Sequence, residues 1–165
     1  MIYLLDANVL ITAHRQYYAI DRIPEFWDWL VHMGELGHVK IPQEIYDEFS
    51  DGEDELAEWA NQGHVSQALI LNEVVDPIKL RKVLKLGYGE NLTDDELEQI
   101  GQDPFLIAHA LTDLGNRKVV TTEVSKPTKT RANRHIPDVC TQVNVEPLNT
   151  FKLLAELDFK TGWKA

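Results

Sequence analysis

Ile2-Tyr-Leu-Leu-Asp6 is the stretch that decides the fold: a short, nearly continuous apolar run of the kind a strand buried on both faces requires, stopped by an acid. The chain is therefore expected to start in the middle of a sheet. Pro24 suits a first helical turn, after which Phe26, Trp27, Leu30, Val31 and Leu36 recur at helical spacing until Gly37 offers a stop. A second strand is expected at Val39-Lys-Ile41. Pro42 then opens a helix carrying Glu44, Ile45, Glu48 and Phe49, and Leu56 with Trp59 suggests another short one.

From Leu69 to Leu86 the apolar positions are roughly helical, and Gly87-Tyr-Gly89 breaks the run. Thr93-Asp-Asp-Glu96 has the spacing of a capping box. Asp103-Pro104 opens a further helix, Phe105 to Leu114, with Asp103 read as the N-cap. Lys118 to Thr122 is the clearest late strand and Asn144 to Glu146 another. A polar, basic loop and a short helix over 137–143 lie between them, and the last helix runs from Phe151 to Leu157. Strands alternating with helices imply an α/β fold: a central parallel sheet of four or five strands flanked by helices.

A chain of 165 residues is expected to form one domain, large enough to bury about two-thirds of its unfolded surface. The single Cys140 excludes an intramolecular disulfide, argues against a Cys-based zinc site and fits a reducing compartment. The apolar run before Asp6 is too short for a signal peptide or a membrane span, so a soluble cytoplasmic protein is expected. A formal charge of −11 argues against a surface that coats nucleic acid. It does not exclude a nuclease, provided a local basic rim steers the polyanion. Arg117, Lys118, Lys126, Lys129, Arg131 and Arg134 supply a candidate rim, with a solvated loop as the plainer reading.

Four acids stand where strands end or helices begin: Asp6, Glu48, Asp103 and Glu123. In open parallel sheets, ligands bind beyond the carboxyl ends of the strands, and this topology can turn all four toward that edge. Gathered carboxylates repel and raise one another's pKa unless a cation neutralises them, and a hard ion such as Mg²⁺ or Mn²⁺ suits them. Asp6 is hard to explain structurally, because an unpaired carboxylate after a buried strand is costly. Asp103 has a sufficient alternative role as a cap, Glu44 competes with Glu48 one turn earlier, and Glu123 could be a surface acid.

Across residues 2–125 the chain resembles a PIN-domain ribonuclease, the group that includes VapC-like toxins, and within it the PIN-like proteins designated DUF4411. The resemblance rests on Leu4-Leu-Asp-Ala-Asn-Val-Leu-Ile11, Val39-Lys-Ile-Pro-Gln-Glu-Ile-Tyr-Asp-Glu-Phe49, Asp103-Pro-Phe-Leu-Ile-Ala-His-Ala-Leu111 and Val119-Val-Thr-Thr-Glu123. It implies a PIN-like three-layer sandwich. It further implies catalytic and metal-binding roles for Asp6, Glu48, Asp103 and Glu123, one or two Mg²⁺ or Mn²⁺ ions, and supporting roles for Asn8 and Thr121. Hydrolysis of single-stranded or loop RNA, an antitoxin partner and a homodimer follow from it too. Two departures stand out: Ala7 replaces the usual hydroxyl residue, and Glu123 is longer than the usual Asp or Asn. A basic loop and C-terminal helix, about 126–160, lie beyond the motifs; Lys126, Lys129, Arg131 and Arg134 are its RNA-contact candidates.

Two other readings remain. A weak or inactive PIN domain would bind RNA or protein without cutting. An aspartyl-phosphate phosphatase could use Asp6, but Asn8 stands where its second acid should be. The six His show no zinc-like pair, and His109 is read as packed or capping. Tyr17 and Tyr18 are read as core or dimer packing, with base stacking as the alternative. Trp27, Trp29 and Trp59 are read as packing, with Trp29 a candidate for exposure.

Overall fold

The computed structural model describes residues 1–164. Five strands, β1 (Ile2–Leu5), β2 (Val39–Pro42), β3 (Ile70–Leu71), β4 (Arg117–Val120) and β5 (Glu146–Leu148), form one sheet in the order β3-β2-β1-β4-β5. All neighbours run parallel. Leu4 and Leu5 of β1, like Val119 and Val120 of β4, are fully buried. Successive strand residues point to opposite faces, so both faces are covered, which gives the expected three-layer α/β sandwich.

The covering helices are α1 (Ala7–Thr12), α2 (Pro24–Glu35), α3 (Gln43–Ser50), α4 (Glu55–Ala60), α5 (Gly63–Leu69), α6 (Pro77–Lys82), α7 (Asp94–Ile100), α8 (Asp103–Leu111), α9 (Ile136–Gln142) and α10 (Thr150–Glu156). The end of α2 is set by Gly37, whose φ of +76° costs a side-chain-bearing residue strain. The amide of Gly37 donates to Gly34 O at 3.0 Å and that of His38 to Met33 O at 2.9 Å, the paired bonds of a Schellman stop. At α7 the capping box is complete: Glu96 N donates to Thr93 Oγ1 and Thr93 N to Glu96 Oε2.

The structure departs from the sequence expectation in several places: β5 is Glu146–Leu148 rather than 144–146, and α8 ends at Leu111 rather than Leu114. The roughly helical stretch from Leu69 to Leu86 conceals strand β3, which ends α5, and then α6. After α6, residues Val83–Tyr88 form a π-helical turn, closed by Gly89 N donating to Leu84 O at 2.9 Å. Two strand residues within an apolar run carry too little period of their own to be told from helix. Trp29 is 2 % exposed, not the partner-facing residue considered above, because α2 turns Phe26, Trp27, Trp29 and Leu30 together into the core. Tyr18 stacks on Phe26 and accepts the Trp27 indole N–H on its carbonyl at 2.7 Å. Among the described residues, no helix is long and apolar enough to cross a membrane.

Candidate functional site

Strand order reverses between β1 and β4, so the loops leaving these two strands diverge and open a crevice between them. Leu5 pairs with Val120, which places Asp6 and Thr121 side by side at that point. Asp6 N donates to Val120 O, and Asp6 itself is 2 % exposed. Thr121 Oγ1 donates to Asp6 Oδ2 at 3.0 Å and accepts the Glu123 amide at 3.2 Å. The amides of Ala7 and Asn8 lie near the carboxylate without closing a full N-cap bond, and the Asn8 side chain is exposed. With Ala7 lacking a hydroxyl, Thr121 supplies the polar support for Asp6.

Asp103 is not the N-cap of its helix, as expected from sequence, but the first residue of α8; Gln102 precedes it and no side-chain cap bond forms. A carboxylate with no amide to hold is free to face the crevice. Burial, then the charges of Asp6, Glu123 and Glu48, push the Asp103 carboxyl up to about 8. Burial is also the main cause for Asp6, raised to about 6, with Thr121 opposing and Glu123 adding. Glu48 stands at the mouth with an exposed side chain, yet crowding by protein atoms and the Asp6 charge push it to about 7. Asp103 is thus close enough to feel the charges of the other three acids.

Glu123 has a second attachment. Its Oε2 accepts the Ile136 amide at the start of α9 at 2.7 Å and lies 4.0 Å from His135 Nδ1. That bond ties Glu123 to α9. Glu44 turns elsewhere: its Oε2 lies 3.5 Å from Nε2 of His109, a residue only 1 % exposed whose pKa burial lowers. His109 is thus a packed side chain, and Glu44 is not one of the acids felt by Asp6, Glu48 or Asp103.

The basic candidates divide. Arg117 is buried, donating to Glu73 Oε1 and His109 O, and Lys118 pairs with Glu146 and Glu156. Arg131 is held by Glu96, and Arg134 donates to the carbonyls of Gly87 and Asp138. These four are structural ties. Lys126 and Lys129 are exposed and carry no ion pair among the described residues.

The site also contains Tyr88, which sequence reading passed over because a Tyr between two glycines looks like a chain break. It ends the π turn, packed between α8 and α9, and is 3 % exposed. Its hydroxyl is buried with no hydrogen-bond partner among the described residues, and burial followed by the charges of Asp103, Cys140 and Glu123 raises its pKa. Gly87 makes this approach possible: a Cβ there would stand 2.5 Å from Val139 Cγ1 of α9. Cys140, also on α9, is fully buried, and its thiol is pushed up by burial and the same acids. Since a buried unpaired hydroxyl costs about 1–3 kcal/mol, Tyr88→Phe is expected to raise the melting temperature of the metal-free protein by several degrees. A fall in a thermal melt would show that the hydroxyl has a partner after all.

Carboxylate oxygens are the donor type that a hard divalent cation takes. None of Asp6, Glu48 and Asp103 has a Lys or Arg within ion-pair distance among the described residues, and Tyr88 leaves an unused hydroxyl beside them. No three His, Cys, Asp or Glu among the described residues stand in the compact arrangement of a finished coordination shell.

The sequence model of a family described as a domain of unknown function, DUF4411, matches residues 3–161. No curated protein and no solved structure matches the chain.

Proposed function

The chain belongs to the DUF4411 family, and from the chemistry of its acidic crevice we propose that it is a metal-dependent endoribonuclease of PIN type. It would hydrolyse phosphodiester bonds of single-stranded or loop RNA in the cytoplasm, as the toxin of a toxin–antitoxin pair. The observation that carries this reading is the placement of Asp6 at the strand-order reversal, tied to Thr121 at 3.0 Å with Glu123 bonded to the same hydroxyl through its amide, and the absence among the described residues of any Lys or Arg paired with Asp6, Glu48 or Asp103.

One or two Mg²⁺ or Mn²⁺ ions, held by these four acids, would supply Lewis acidity toward the phosphate and offset the charge that builds during hydrolysis. The chain's own groups do the rest. Thr121 fixes Asp6 through Oδ2. The Ile136 amide anchors Glu123 by Oε2, leaving Oε1. Glu48, whose side chain is exposed, can reach a water or a phosphate oxygen as well as an ion. The exposed Lys126 and Lys129 on the loop beyond Glu123 can meet the RNA backbone. An antitoxin protein and a second copy of the chain are the partners this reading implies.

Purified protein with Mn²⁺ is expected to cut a mixed pool of unstructured RNAs, and EDTA to stop it. RNA left intact at every metal concentration overturns the reading. A second reading draws on Ala7 and on the engagement of Glu123 by α9: an inactive domain that binds RNA or protein. Calorimetric Mn²⁺ titration separates the two, because the inactive module would take up no metal.

A further inference from the structure

Between Pro77 and Tyr88 the chain carries four cations, Lys79, Arg81, Lys82 and Lys85, and no acid, in a protein whose other residues hold twelve cations against 27 acids. Arg81, Lys82 and Lys85 are exposed. With Ile78 and Leu86 they line one concavity of about 440 Å³, and Arg81 and Lys85 also line its neighbour of about 420 Å³, with Leu84, Leu92 and Leu97. Ile78 is 71 % and Leu86 47 % exposed, so the groove has an apolar floor and a cationic rim. The Lys85 tie to Glu90, at 2.9 Å between two exposed side chains, is weak and easily exchanged.

The groove is connected to the acids. Helix α6 packs on α8, and Leu80 and Leu84 share a cavity with Pro104 and Phe105, the residues that follow Asp103. The π turn that continues α6 ends at Tyr88, beside Asp103 and Glu123. We propose that this face, Arg81, Lys82 and Lys85 with Ile78 and Leu86, is the track that receives the ribose-phosphate backbone of single-stranded RNA and leads it to the acidic crevice. The proposal rests on the hydrolase reading and names how its substrate is held. An acidic crevice repels a polyanion, and a dense local cationic surface is what offsets that repulsion. The rim meets phosphates, and Ile78 and Leu86 offer apolar contact beside it.

The test is anisotropy of a short fluorescein-labelled unstructured RNA in EDTA, where no cleavage complicates binding. Arg81→Glu/Lys82→Glu/Lys85→Glu is expected to weaken affinity at least tenfold at low salt. If each side chain neutralises one phosphate, Arg81→Gln/Lys82→Gln/Lys85→Gln lowers the slope of log affinity against log salt by about 2, at about 0.7 per contact. Lys126→Glu/Lys129→Glu changes affinity less. All these side chains are exposed, and the neutral variant guards against misfolding of the reversed one. Affinity within twofold of wild type for both triple variants overturns the proposal, including the case in which the groove seats an acidic protein helix. Binding lost in the triple variants by an RNA-binding chain that never cuts with Mn²⁺ would sink the hydrolase alone; no RNA binding by wild type in EDTA sinks the track, while the Mn²⁺ cleavage assay decides the hydrolase.

Discussion

Asp103→Asn is expected to reduce RNA cleavage by at least about 100-fold and, at the same time, to raise the melting temperature of the metal-free protein at pH 8. Changes to groups that merely orient ligands cost about 10–100-fold, and Asp103 is the most strongly perturbed acid of the crevice, raised to about 8 by burial and by Asp6, Glu123 and Glu48. The Asn side chain keeps the shape of α8's first turn and removes a charge the fold resists. Each pKa unit of resistance corresponds to about 1.4 kcal/mol, and each kcal/mol to roughly 2–4 °C for a chain of this size, so the gain should be readable in a thermal melt. Activity and stability moving in opposite directions would mark a functional acid. Loss of both would make Asp103 a structural residue, and unchanged cleavage would remove it from the machinery.

The second large effect is the pH and metal dependence of stability. An acid whose folded pKa exceeds its unfolded value binds more protons when folded; its stabilisation is complete below the unfolded pKa and is lost as pH rises through the folded one. Asp6, Glu48 and Asp103, raised to about 6, 7 and 8, therefore make the metal-free protein less stable from about pH 4 to 8. Two sets of groups act the other way. Glu73, Glu96, Asp138 and Glu156, held below their ordinary values mainly by Arg117, Arg131, Ser125 and Tyr3 respectively, add stability that is complete by about pH 5. Buried His109, lowered, adds stability as pH rises toward about 6.5.

The window from pH 6.5 to 8 thus isolates the crevice. The melting temperature in EDTA should fall across it, and Asp103→Asn should flatten the fall. Mn²⁺ at 100 times its dissociation constant should restore about 2.7 kcal/mol at pH 8. A flat profile in EDTA, or no upward shift with Mn²⁺, would count against a cation-demanding crevice.

What could be read from sequence was whatever has a local cause. The apolar run of β1, the Schellman stop at Gly37 and the Thr93 box are each dictated by residues within a few positions. Asp6, placed at a strand end, stands where that reading put it. The missing parts depend on contacts between distant segments. β3 exists because β2 offers it a partner. The release of Asp103 from capping is decided by where α8 begins, and the cations of α6 gain their meaning from its packing against α8. Tyr88 reaches the acids because Arg134 holds the Gly87 carbonyl and Gly87 fits against Val139, neither visible from Gly87-Tyr-Gly89 alone.

The sheet order has a consequence for the protein's birth. β1 is made first yet lies at the centre, and its partner β4 leaves the ribosome more than a hundred residues later. At about 5–20 residues per second, several seconds separate translation of Asp6 from that of Glu123. A nascent chain cannot assemble the crevice during that interval, so whatever chemistry the finished molecule performs is withheld from the machine that is making it.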